Sequence, residues 1–472
     1  MLQSTGNDIF IERKPMGFST LVLAAGAGTR MKSEKPKVAH EILGKPLLRW
    51  VIDAARQAGA DEVFTVLGHG RGTTVPLAAD TTIVIQDEQL GTGHALQIAR
   101  SSLEAAGVET LVVLSGDTPL LRSETIRSLV DEHLRAAAAV SVLTMCLDDP
   151  TGYGRVIRNA QGAFLRIVEH KDASDEELET AEVNSGVYCF DTANLFKMLG
   201  ELKNNNRQGE FYLTDVAALT LSAGNTVNAF CAEDARELAG INDRVQLAQT
   251  TAEAQRRINT RHMLNGVTIT EPTSAWIGPD VVLANDVEIL PLTTLTGKTS
   301  VDWGSVIGPM SRVNNSVIGK SCVVDDSVMI DAVLEDKVSI GPRAYLRPGT
   351  IMRTGSRAGT HVEIKKSDIG PNSKVPHLSY IGDTQIGENV NLGAGTITCN
   401  YDGVNKHATV IGSGCFVGSD TMLVAPVTLG DNVIIGAGSV ITRDVPAGAL
   451  ALTRPEQVIK EDWKRKEAKS HD

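Results

Sequence analysis

Arg30 and Lys37 are the first residues in the chain whose type and position suit chemistry on an anion. They follow the small-residue run Leu-Ala-Ala-Gly-Ala-Gly at residues 23–28, which ends an apolar strand. Small residues let backbone N–H groups approach a phosphate, and the two cations would neutralise its charge. The run is neither a Walker loop nor a GxGxxG fingerprint. A tight strand-to-loop connection with solvated cations fits the run equally well.

Asp117 and His377 are the candidates for acid and base chemistry. Asp117 follows the apolar strand at residues 111–114, which would place its carboxylate in a crevice at the end of the strand. Taken alone, it is better explained as a turn residue before Pro119. His377 lies in a short polar segment at residues 374–380. Imidazole titrates near neutral pH, which suits a general base, but an isolated histidine on a turn is usually a surface residue.

A six-residue period must position His377. Aliphatic residues recur at every sixth position in the C-terminal third, with shorter phased segments upstream, and this period is typical of a parallel β-helix. Each change of phase predicts a loop, and the longest interval, from 392 to 411, contains Asn400 and Tyr401. The periodic positions are Cys322, Val328, Leu334, Ile340 and Leu346; Ile369, Val375 and Ile381; Ile386 and Leu392; and Ile411, Val417, Leu423, Leu429, Ile435 and Ile441.

The N-terminal half alternates apolar strands with amphipathic helices. Strands are predicted at residues 20–25, 62–67, 82–86 and 110–115, and helices at 46–58, 93–102 and 123–136. Such alternation indicates βαβ units and a parallel sheet covered on both faces, with ligands at the carboxyl ends of its strands. Residues 245–265 are predicted to form a helical connector whose polar face is solvated.

Composition limits the function further. The chain has 472 residues, enough for two or three domains, and a formal net charge of −12, which argues against nucleic acid as a partner. Its six cysteines are far apart without CxxC spacing, so neither a zinc site nor a disulfide framework is predicted and a reduced, cytoplasmic protein is expected. No apolar segment is long enough to cross a membrane, and residues 1–17 are expected to be a flexible extension.

Nine short motifs, followed by the hexapeptide repeats, identify a family. Together they resemble the bifunctional N-acetylglucosamine-1-phosphate uridyltransferase/glucosamine-1-phosphate N-acetyltransferases over about residues 19–463. The motifs are LAAGAGTRM at 23–31, KPK at 35–37, QDEQLGTGHA at 86–95, GDTPL at 116–120, DPTGYGR at 149–155, IVEHKD at 167–172, NSG at 184–186, QGEFYLTD at 208–215 and GIN at 240–242.

The resemblance implies an α/β fold, with a Rossmann-like nucleotidyltransferase domain at 18–244, a helical linker at 245–265 and a left-handed β-helix acetyltransferase domain with a C-terminal tail at 266–472. Arg30 and Lys37 would be catalytic in uridylyl transfer, and Asp117 and Asn242 would bind Mg²⁺. Ser115 departs from the tyrosine found in some members. The residues implied to bind UTP or the UDP-sugar are Leu23, Ala24, Ala25, Gly26, Lys37, Gln86, Gly91, Thr92, Ser115, Gly116, Asp117, Gly154, Glu169, Asn184 and Asn242.

The same resemblance implies a second site in the β-helix. His377 would take a proton from the sugar amine as it attacks acetyl-CoA, and Glu363 would orient the imidazole. Pro376 departs from the family glycine at that position. The residues implied to hold the sugar phosphate are Arg347, Lys365, Tyr380, Asn391 and Lys406, and those implied along the acetyl-CoA path are Ala394, Asn400, Tyr401, Ser419, Ala437 and Arg454.

Three functions are compatible with this organisation. The resemblance favours one cytoplasmic enzyme, a homotrimer formed through the β-helix, that acetylates glucosamine-1-phosphate with acetyl-CoA and then transfers uridylate from UTP. A monofunctional pyrophosphorylase with a structural β-helix is disfavoured by His377 and the Asn400-Tyr401 loop. A non-catalytic scaffold is disfavoured by the joint presence of Arg30, Lys37, Asp117 and Asn242.

Overall fold

The computed structural model describes residues 17–26 and 28–464. The chain divides into two compact units, with the division between Ala254 and Gln255. The predicted N-terminal extension, residues 1–17, lies outside the described residues except for Gly17, as do residues 465–472 of the predicted tail. Within the described residues, no helix combines the length and apolar character needed to cross a membrane.

In the first unit, the four predicted strands and the four predicted helices, the connector included, begin and end within three residues of the predicted positions, and the other elements were not predicted. The strands are β1 Ser19–Ala24, β2 Glu41–Ile42, β3 Lys45–Pro46, β4 Val63–Leu67, β5 Thr82–Ile85, β6 Thr110–Ser115, β7 Val140–Cys146, β8 Arg155–Arg158, β9 Phe164–Val168, β10 Glu182–Asp191 and β11 Val227–Cys231. The α-helices are α1 Leu47–Gln57, α2 Arg71–Leu77, α3 Thr92–Ala105, α4 Ser123–Arg135, α5 Asp175–Leu178, α6 Thr192–Leu199, α7 Thr214–Ser222 and α8 Arg244–Leu264, whose C-terminal part belongs to the second unit.

The main sheet has the order β11-β7-β10-β6-β1-β4-β5, and β8 and β9 extend it beside β10. Strands β1, β4, β5 and β6 are parallel, which brings their carboxyl ends to one edge. The predicted all-parallel sheet is wrong for β10, which runs antiparallel to β6 and β7. Local sequence pattern gives a strand its apolar face but not its direction, because direction depends on the route of the connection.

Alternate residues of each strand enter opposite cores. Val22 and Leu114 pack with Leu48 and Leu129 of α1 and α4 on one face. Their neighbours in the chain enter the second core, which includes Leu96 of α3 and Leu195 of α6. Burying each such side chain contributes about 1.5–3 kcal/mol, so the helices are held firmly on both faces and the strand ends that carry the polar residues are fixed.

Helix α8 makes polar contacts in the second unit. The Gln255 side chain donates to the carbonyls of Pro272, Thr273 and Ala275 at 3.2, 2.9 and 2.8 Å, and Asn259 donates to those of Pro272 and Ala275 at 2.8 and 3.0 Å. The prediction of a merely solvated polar face is therefore wrong for these two residues. Their amides satisfy backbone carbonyls where the first coil of the β-helix begins.

The second unit is a parallel β-helix with three faces. Face 1 comprises Thr268–Ile269, Glu288–Ile289, Val306–Ile307, Val323–Val324, Ser339–Ile340, Arg357–Thr360, Lys374–His377, Asn391–Leu392, Phe416–Val417, Ile434–Ile435 and Leu450–Ala451. Face 2 comprises Trp276–Ile277, Thr294–Thr296, Arg312–Asn314, Val328–Ile330, Tyr345–Leu346, Glu363–Lys365, Tyr380–Gly382, Ile397–Cys399, Met422–Val424 and Val440–Ile441. Face 3 comprises Val282–Leu283, Ser300–Val301, Val317–Ile318, Val333–Leu334, Ile351–Met352, Asp368–Ile369, Thr384–Ile386, Thr409–Ile411 and Val427–Leu429.

Most of the short strands bury one apolar side chain, as the six-residue period predicts. The exceptions include Ile397–Cys399, whose buried residue is Thr398, and Leu450–Ala451, which buries none. Two predicted positions are wrong: the inward aliphatic residues are Val324 and Met329, whereas Val328 is only partly buried and Cys322 occupies the small-residue position two before Val324. Ser305, at the equivalent small position of the preceding coil, donates its hydroxyl to the Gly319 carbonyl at 2.7 Å and accepts from the Cys322 N–H at 2.9 Å. These hydroxyls satisfy backbone groups inside the coil.

Most phase changes are shortened corners rather than loops. Five residues instead of six separate the inward side chains Ile364 and Ile369, and likewise Ile381 and Ile386. The loop prediction is wrong at these two points. It is confirmed between the strands Ile397–Cys399 and Thr409–Ile411, where residues 400–408 leave the coil.

Candidate active sites

The first candidate site is a cavity of about 280 Å³ at the carboxyl ends of β1, β4 and β6. Parallel strands end together here, so residues far apart in sequence meet where ligands of α/β folds bind. Most of the residues predicted to bind the nucleotide lie around it. Those lining the cavity are Leu23, Ala24, Ala25, Gly26, Lys37, Gln86, Gly91, Thr92, Ser115 and Asp117.

Four of the predicted residues form one charged cluster beside this cavity. The Lys37 ammonium forms an ion pair with the Asp117 carboxylate and lies 3.3 Å from the side-chain oxygen of Asn242. Arg30 donates to the same Asn242 oxygen at 2.8 Å. The side-chain oxygens of Asp117 and Asn242 therefore face one point at which a single cation can bind. In this structure the Lys37 ammonium occupies that point. Two such oxygens fit Mg²⁺, which takes its remaining ligands from water and substrate phosphates.

Backbone and side-chain contacts fix the spacing of Asp117 and Asn242. The Ile241 N–H donates to the Asp117 carbonyl at 3.0 Å. The buried carboxylate of Glu237 accepts from the Arg122 guanidinium at 2.5 Å and from the Thr125 hydroxyl at 2.6 Å. The segment after Asp117 is thereby joined to the segment before Asn242, so neither oxygen ligand depends on a free loop.

Gly154, Glu169 and Asn184 form a second group in the same unit. The Asn184 N–H donates to the Gly154 carbonyl at 2.8 Å, and a Cβ added to Gly154 would lie 3.5 Å from both oxygens of the Glu169 carboxylate. Glu169 lies in a separate cavity of about 300 Å³ and accepts from the Thr214 hydroxyl at 3.3 Å. Burial raises the pKa of this carboxyl above its usual range.

The second candidate site begins on a corner between faces 1 and 2 of the β-helix. His377 is exposed there, and its carbonyl accepts from the Gly395 N–H of the next coil at 3.3 Å. The Ala394 and Ser419 carbonyls accept in the same way from Asp420 and Gly438, at 2.7 and 2.8 Å, and the Arg454 guanidinium donates to the Ala437 carbonyl at 3.4 Å. One edge of the β-helix therefore carries, on successive coils, His377, Ala394, Ser419, Ala437 and Arg454.

Five further predicted residues of this site gather toward the opposite edge of face 2: Lys365, Tyr380, Asn400, Tyr401 and Lys406. The Asn400 amide donates to Asp383 at 2.5 Å, and a Cβ added to Gly382 would lie 2.6 Å from both the Asn400 amide nitrogen and the Tyr380 hydroxyl oxygen. Lys365 lies beside Lys406 and lowers the pKa of that ammonium group. Tyr401 pairs with Lys406 across the inserted loop, and its hydroxyl donates to the Gly403 carbonyl at 2.6 Å.

Some predicted residues remain apart. Glu363 accepts from Arg347 at 2.8 Å, and among the described residues no hydrogen bond joins Glu363 to His377, so the predicted orienting contact does not form within one chain. Asn391 lies on face 1 opposite Lys374, away from the Asn400 group. His377 ends a face 1 strand and Gly382 ends a face 2 strand, and the corner at Leu378, whose φ is 51°, separates them.

Comparisons with known proteins match both units of the chain. The MobA-like NTP transferase domain family matches residues 20–170, and the bacterial transferase hexapeptide family, six repeats, matches residues 408–443. The protein named "Bifunctional protein GlmU" from Carboxydothermus hydrogenoformans is 48% identical over 94% of this chain and 99% of its own. The proteins of that name from Heliobacterium modesticaldum and Corynebacterium diphtheriae are each 48% identical, over 94% and 96% of this chain and 97% and 95% of theirs.

The chain belongs to the bifunctional GlmU family. It is an enzyme of UDP-N-acetylglucosamine synthesis that N-acetylates glucosamine-1-phosphate and transfers uridylate to N-acetylglucosamine-1-phosphate. Its fold class is the predicted one, a Rossmann-like nucleotidyltransferase domain followed by a left-handed parallel β-helix of hexapeptide repeats.

Three residues of this GlmU-family chain that were not among the predicted site residues contribute to the first cavity. Gln89 and Glu210 line it. His94 lies with its Nδ1 3.1 Å from the Gln86 amide nitrogen, and the same amide donates to the Gly91 carbonyl at 3.3 Å, so the orientation of Gln86 is set. All three occur inside the quoted motifs. Their positions relative to the cavity depend on loop geometry that the motifs do not contain.

Glu169→Gln is expected to stabilise the ligand-free GlmU-family enzyme while weakening its use of N-acetylglucosamine-1-phosphate. Because burial raises the folded-state pKa of Glu169, the folded protein binds more protons than the unfolded chain between the two pKa values, and stability falls as pH rises through that window. At pH values above this window, the buried Glu169 carboxylate is charged and destabilises the folded protein. The neutral amide of glutamine would not have this cost. We expect the free energy of unfolding at pH 7.5 to rise by about 0.5–2 kcal/mol in urea titrations, and the sugar-phosphate KM to rise.

The matched control is Glu176→Gln, an exposed carboxylate on α5. It is expected to change neither the urea midpoint nor KM. The account of Glu169 is wrong if Glu169→Gln destabilises the protein at pH 7.5, or if the stability difference from wild type is the same at pH 4 as at pH 7.5.

Proposed function

We propose that residues 18–244 perform uridylyl transfer from UTP with Mg²⁺, that residues 266–472 perform N-acetylation with acetyl-CoA, and that residues 245–265 link the two. The observation that carries this proposal is the gathering of a separate reactive set in each compact unit: Arg30, Lys37, Asp117 and Asn242 in the first, and the edge with His377 in the second. The free cysteines fit a cytoplasmic location for both reactions.

In uridylyl transfer the sugar phosphate oxygen attacks the α-phosphorus of UTP and pyrophosphate leaves, so the chain mainly aligns groups and offsets charge. Arg30 and Lys37 approach the triphosphate from the side of Asn242. Bound Mg²⁺, held by Asp117 and Asn242, would neutralise charge on the phosphates. The short backbone run at residues 23–26 approaches the nucleotide, and Gln86, fixed by His94, faces the uracil.

Gly154, Glu169 and Asn184 hold the N-acetylglucosamine part of the substrate. The absence of a side chain at Gly154 leaves the Glu169 carboxylate open. A carboxylate accepts hydrogen bonds from sugar hydroxyls, and burial strengthens those bonds because water does not compete. The stability that the buried charge costs is thus recovered when the sugar binds.

In acetyl transfer His377 removes a proton from the sugar amine as the amine attacks the thioester carbonyl. The Lys365 and Lys406 ammonium groups, held beside each other, are positioned for the sugar phosphate, since two neighbouring like charges favour an anion between them. Arg347, Tyr380 and Asn391 complete the sugar contacts. The edge formed by residues 394, 419, 437 and 454 carries the coenzyme, with Asn400 and Tyr401 at the acetyl group.

A homotrimer formed through the β-helix completes this second site. His377 ends a face 1 strand, whereas Asn400 follows the end of a face 2 strand and binds Asp383, so the two groups lie on different edges of the β-helix. A neighbouring copy that brings its His377 edge against the Asn400 edge of the first chain would join them, and three copies would close the ring.

Subunit complementation tests this arrangement. His377→Ala and Asn400→Ala chains, each inactive in acetylation alone, are produced together and purified as mixed assemblies through two different tags. If the two residues of one site come from different chains, every mixed trimer has one site of three that combines two unaltered residues, and acetylation returns to about a third of the wild-type rate. The control assembly pairs His377→Ala with a second His377→Ala chain. No recovery in the mixed assembly would contradict a shared site.

A further inference from the structure

Two cysteines distant in sequence lie side by side in the first unit. Cys146 ends β7 and Cys231 ends β11, and these strands are parallel neighbours with Cys231 opposite Thr144. Both side chains are exposed, and their sulfurs are 3.4 Å apart. No other pair among the described cysteines is in contact: Cys189, Cys322 and Cys415 are buried separately, and Cys399 is partly exposed.

We propose that Cys146 and Cys231 form a reversible redox modification site at which peroxides create a disulfide that slows uridylyl transfer. The Cys231 thiolate attacks one peroxide oxygen, the O–O bond breaks, and a sulfenic acid forms as water leaves. The Cys146 sulfur then attacks the sulfenic sulfur, the S–O bond breaks, and the Cys146 proton leaves with the oxygen as a second water. Two thiols lose two electrons to one peroxide, and a dithiol reductant returns them.

The surroundings assign a role to each thiol. Cys231 lines an open cavity of about 610 Å³ together with Phe230 and Glu233, so a small oxidant can reach it. Hydrogen bonding with Cys231 and, secondarily, burial raise the pKa of the Cys146 thiol to about 11. The cavity gives a peroxide access to Cys231, and the Cys146 sulfur, 3.4 Å away, is placed to attack the sulfenic acid that forms there.

The pair is connected to the sugar-binding group. On β10, Glu182 lies opposite Cys146 and accepts from Arg158 at 2.6 and 2.7 Å. Arg158 also donates to the Ala229 carbonyl of β11 at 3.0 Å, so it bridges the strands on both sides of β7. Two residues beyond Glu182 is Asn184, which binds Gly154.

Disulfide formation shortens the sulfur separation from 3.4 Å to about 2.0 Å. In the proposal, the adjustment at the ends of β7 and β11 is passed through Glu182 and Arg158 to Asn184. The regulatory part of the inference rests on the proposed role of Asn184 in sugar binding, whereas the formation of the bond does not.

Peptide mapping of the oxidised full-length protein tests the inference. Wild type, Cys146→Ser and Cys399→Ser are treated with hydrogen peroxide, digested without reductant and analysed by mass spectrometry, while UTP-dependent pyrophosphate release is followed in parallel. We expect wild type and Cys399→Ser to yield a Cys146–Cys231 linked peptide and to lose uridylyl transfer by at least roughly tenfold, with recovery after dithiothreitol. Cys146→Ser should keep its rate, and dimedone should label its Cys231.

Absence of the linked peptide in wild type would overturn the inference, as would equal loss of rate in Cys146→Ser. A linked peptide with an unchanged rate would overturn the regulatory part. Failure of the proposed function is distinguishable, because it would appear as missing uridylyl transfer in the untreated protein, with the linked peptide still formed.

Discussion

Asp117→Ala is expected to lower UTP-dependent pyrophosphate release by about a hundredfold to a thousandfold, the loss typical of removing one group that stabilises charge in the transition state. The substitution removes one of the two oxygens that meet beside Lys37, and it leaves that ammonium without its ion-pair partner. Acetylation should be unchanged, because the reactive set for that step lies in the other compact unit. The two half-reactions are measured separately, with preformed N-acetylglucosamine-1-phosphate as the substrate of the first.

Asp131→Ala is the matched control for this prediction. Asp131 is an exposed carboxylate on α4 and carries the same charge as Asp117. It should leave both half-reactions at the wild-type rate. Removing divalent cations from wild type with a chelator should reproduce the Asp117→Ala loss, and added Mg²⁺ should reverse it. Uridylyl transfer that persists in Asp117→Ala would show that another residue holds the metal and phosphates.

His377→Ala is expected to lower acetylation of glucosamine-1-phosphate by about a hundredfold to ten-thousandfold, the range for loss of a general base. His377 is exposed on the edge that carries the coenzyme residues, and among the described residues no side chain forms a hydrogen bond with its ring. Its imidazole is therefore free to accept a substrate proton. Coenzyme A release from acetyl-CoA is the measurement, and pyrophosphate release should stay at the wild-type rate.

The control for His377 lies one coil earlier on the same edge. His361 is exposed and has a backbone φ of 56°, a left-handed conformation that asparagine tolerates. His361→Asn should acetylate normally. Partial recovery of His377→Ala by added imidazole would support a proton-removing role, whereas a normal rate without imidazole would exclude His377 as the base.

The coils of the β-helix could be predicted from sequence because burial within each coil is local. An inward side chain every six residues is visible directly, and so is the break that carries Asn400. The five-residue steps at Ile369 and Ile386 misled the prediction of loops, because a corner shortened by one residue changes the phase without leaving the coil. The same shortening explains why Met329, and not the predicted Val328, points inward: Val324 and Met329 are five residues apart.

The meeting of distant residues in the first unit could not be derived from their spacing in the sequence. Lys37 and Asn242 are 205 positions apart, and only the resemblance to a family placed them in one site. Cys146 and Cys231, 85 positions apart, had no such guide. Their contact depends on β11 pairing beside β7, which follows from the strand order of the sheet and not from any spacing between cysteines.

Formation of UDP-N-acetylglucosamine from glucosamine-1-phosphate, acetyl-CoA and UTP in one vessel tests the two-site division most directly. Wild type should complete the conversion, and Asp117→Ala and His377→Ala should each fail alone, the first accumulating N-acetylglucosamine-1-phosphate. An equal mixture of the two separately purified variants should restore product formation, because the intermediate diffuses from one site to the other. A mixture that stays inactive, or either variant completing the conversion alone, would contradict two separate sites carried by these residues.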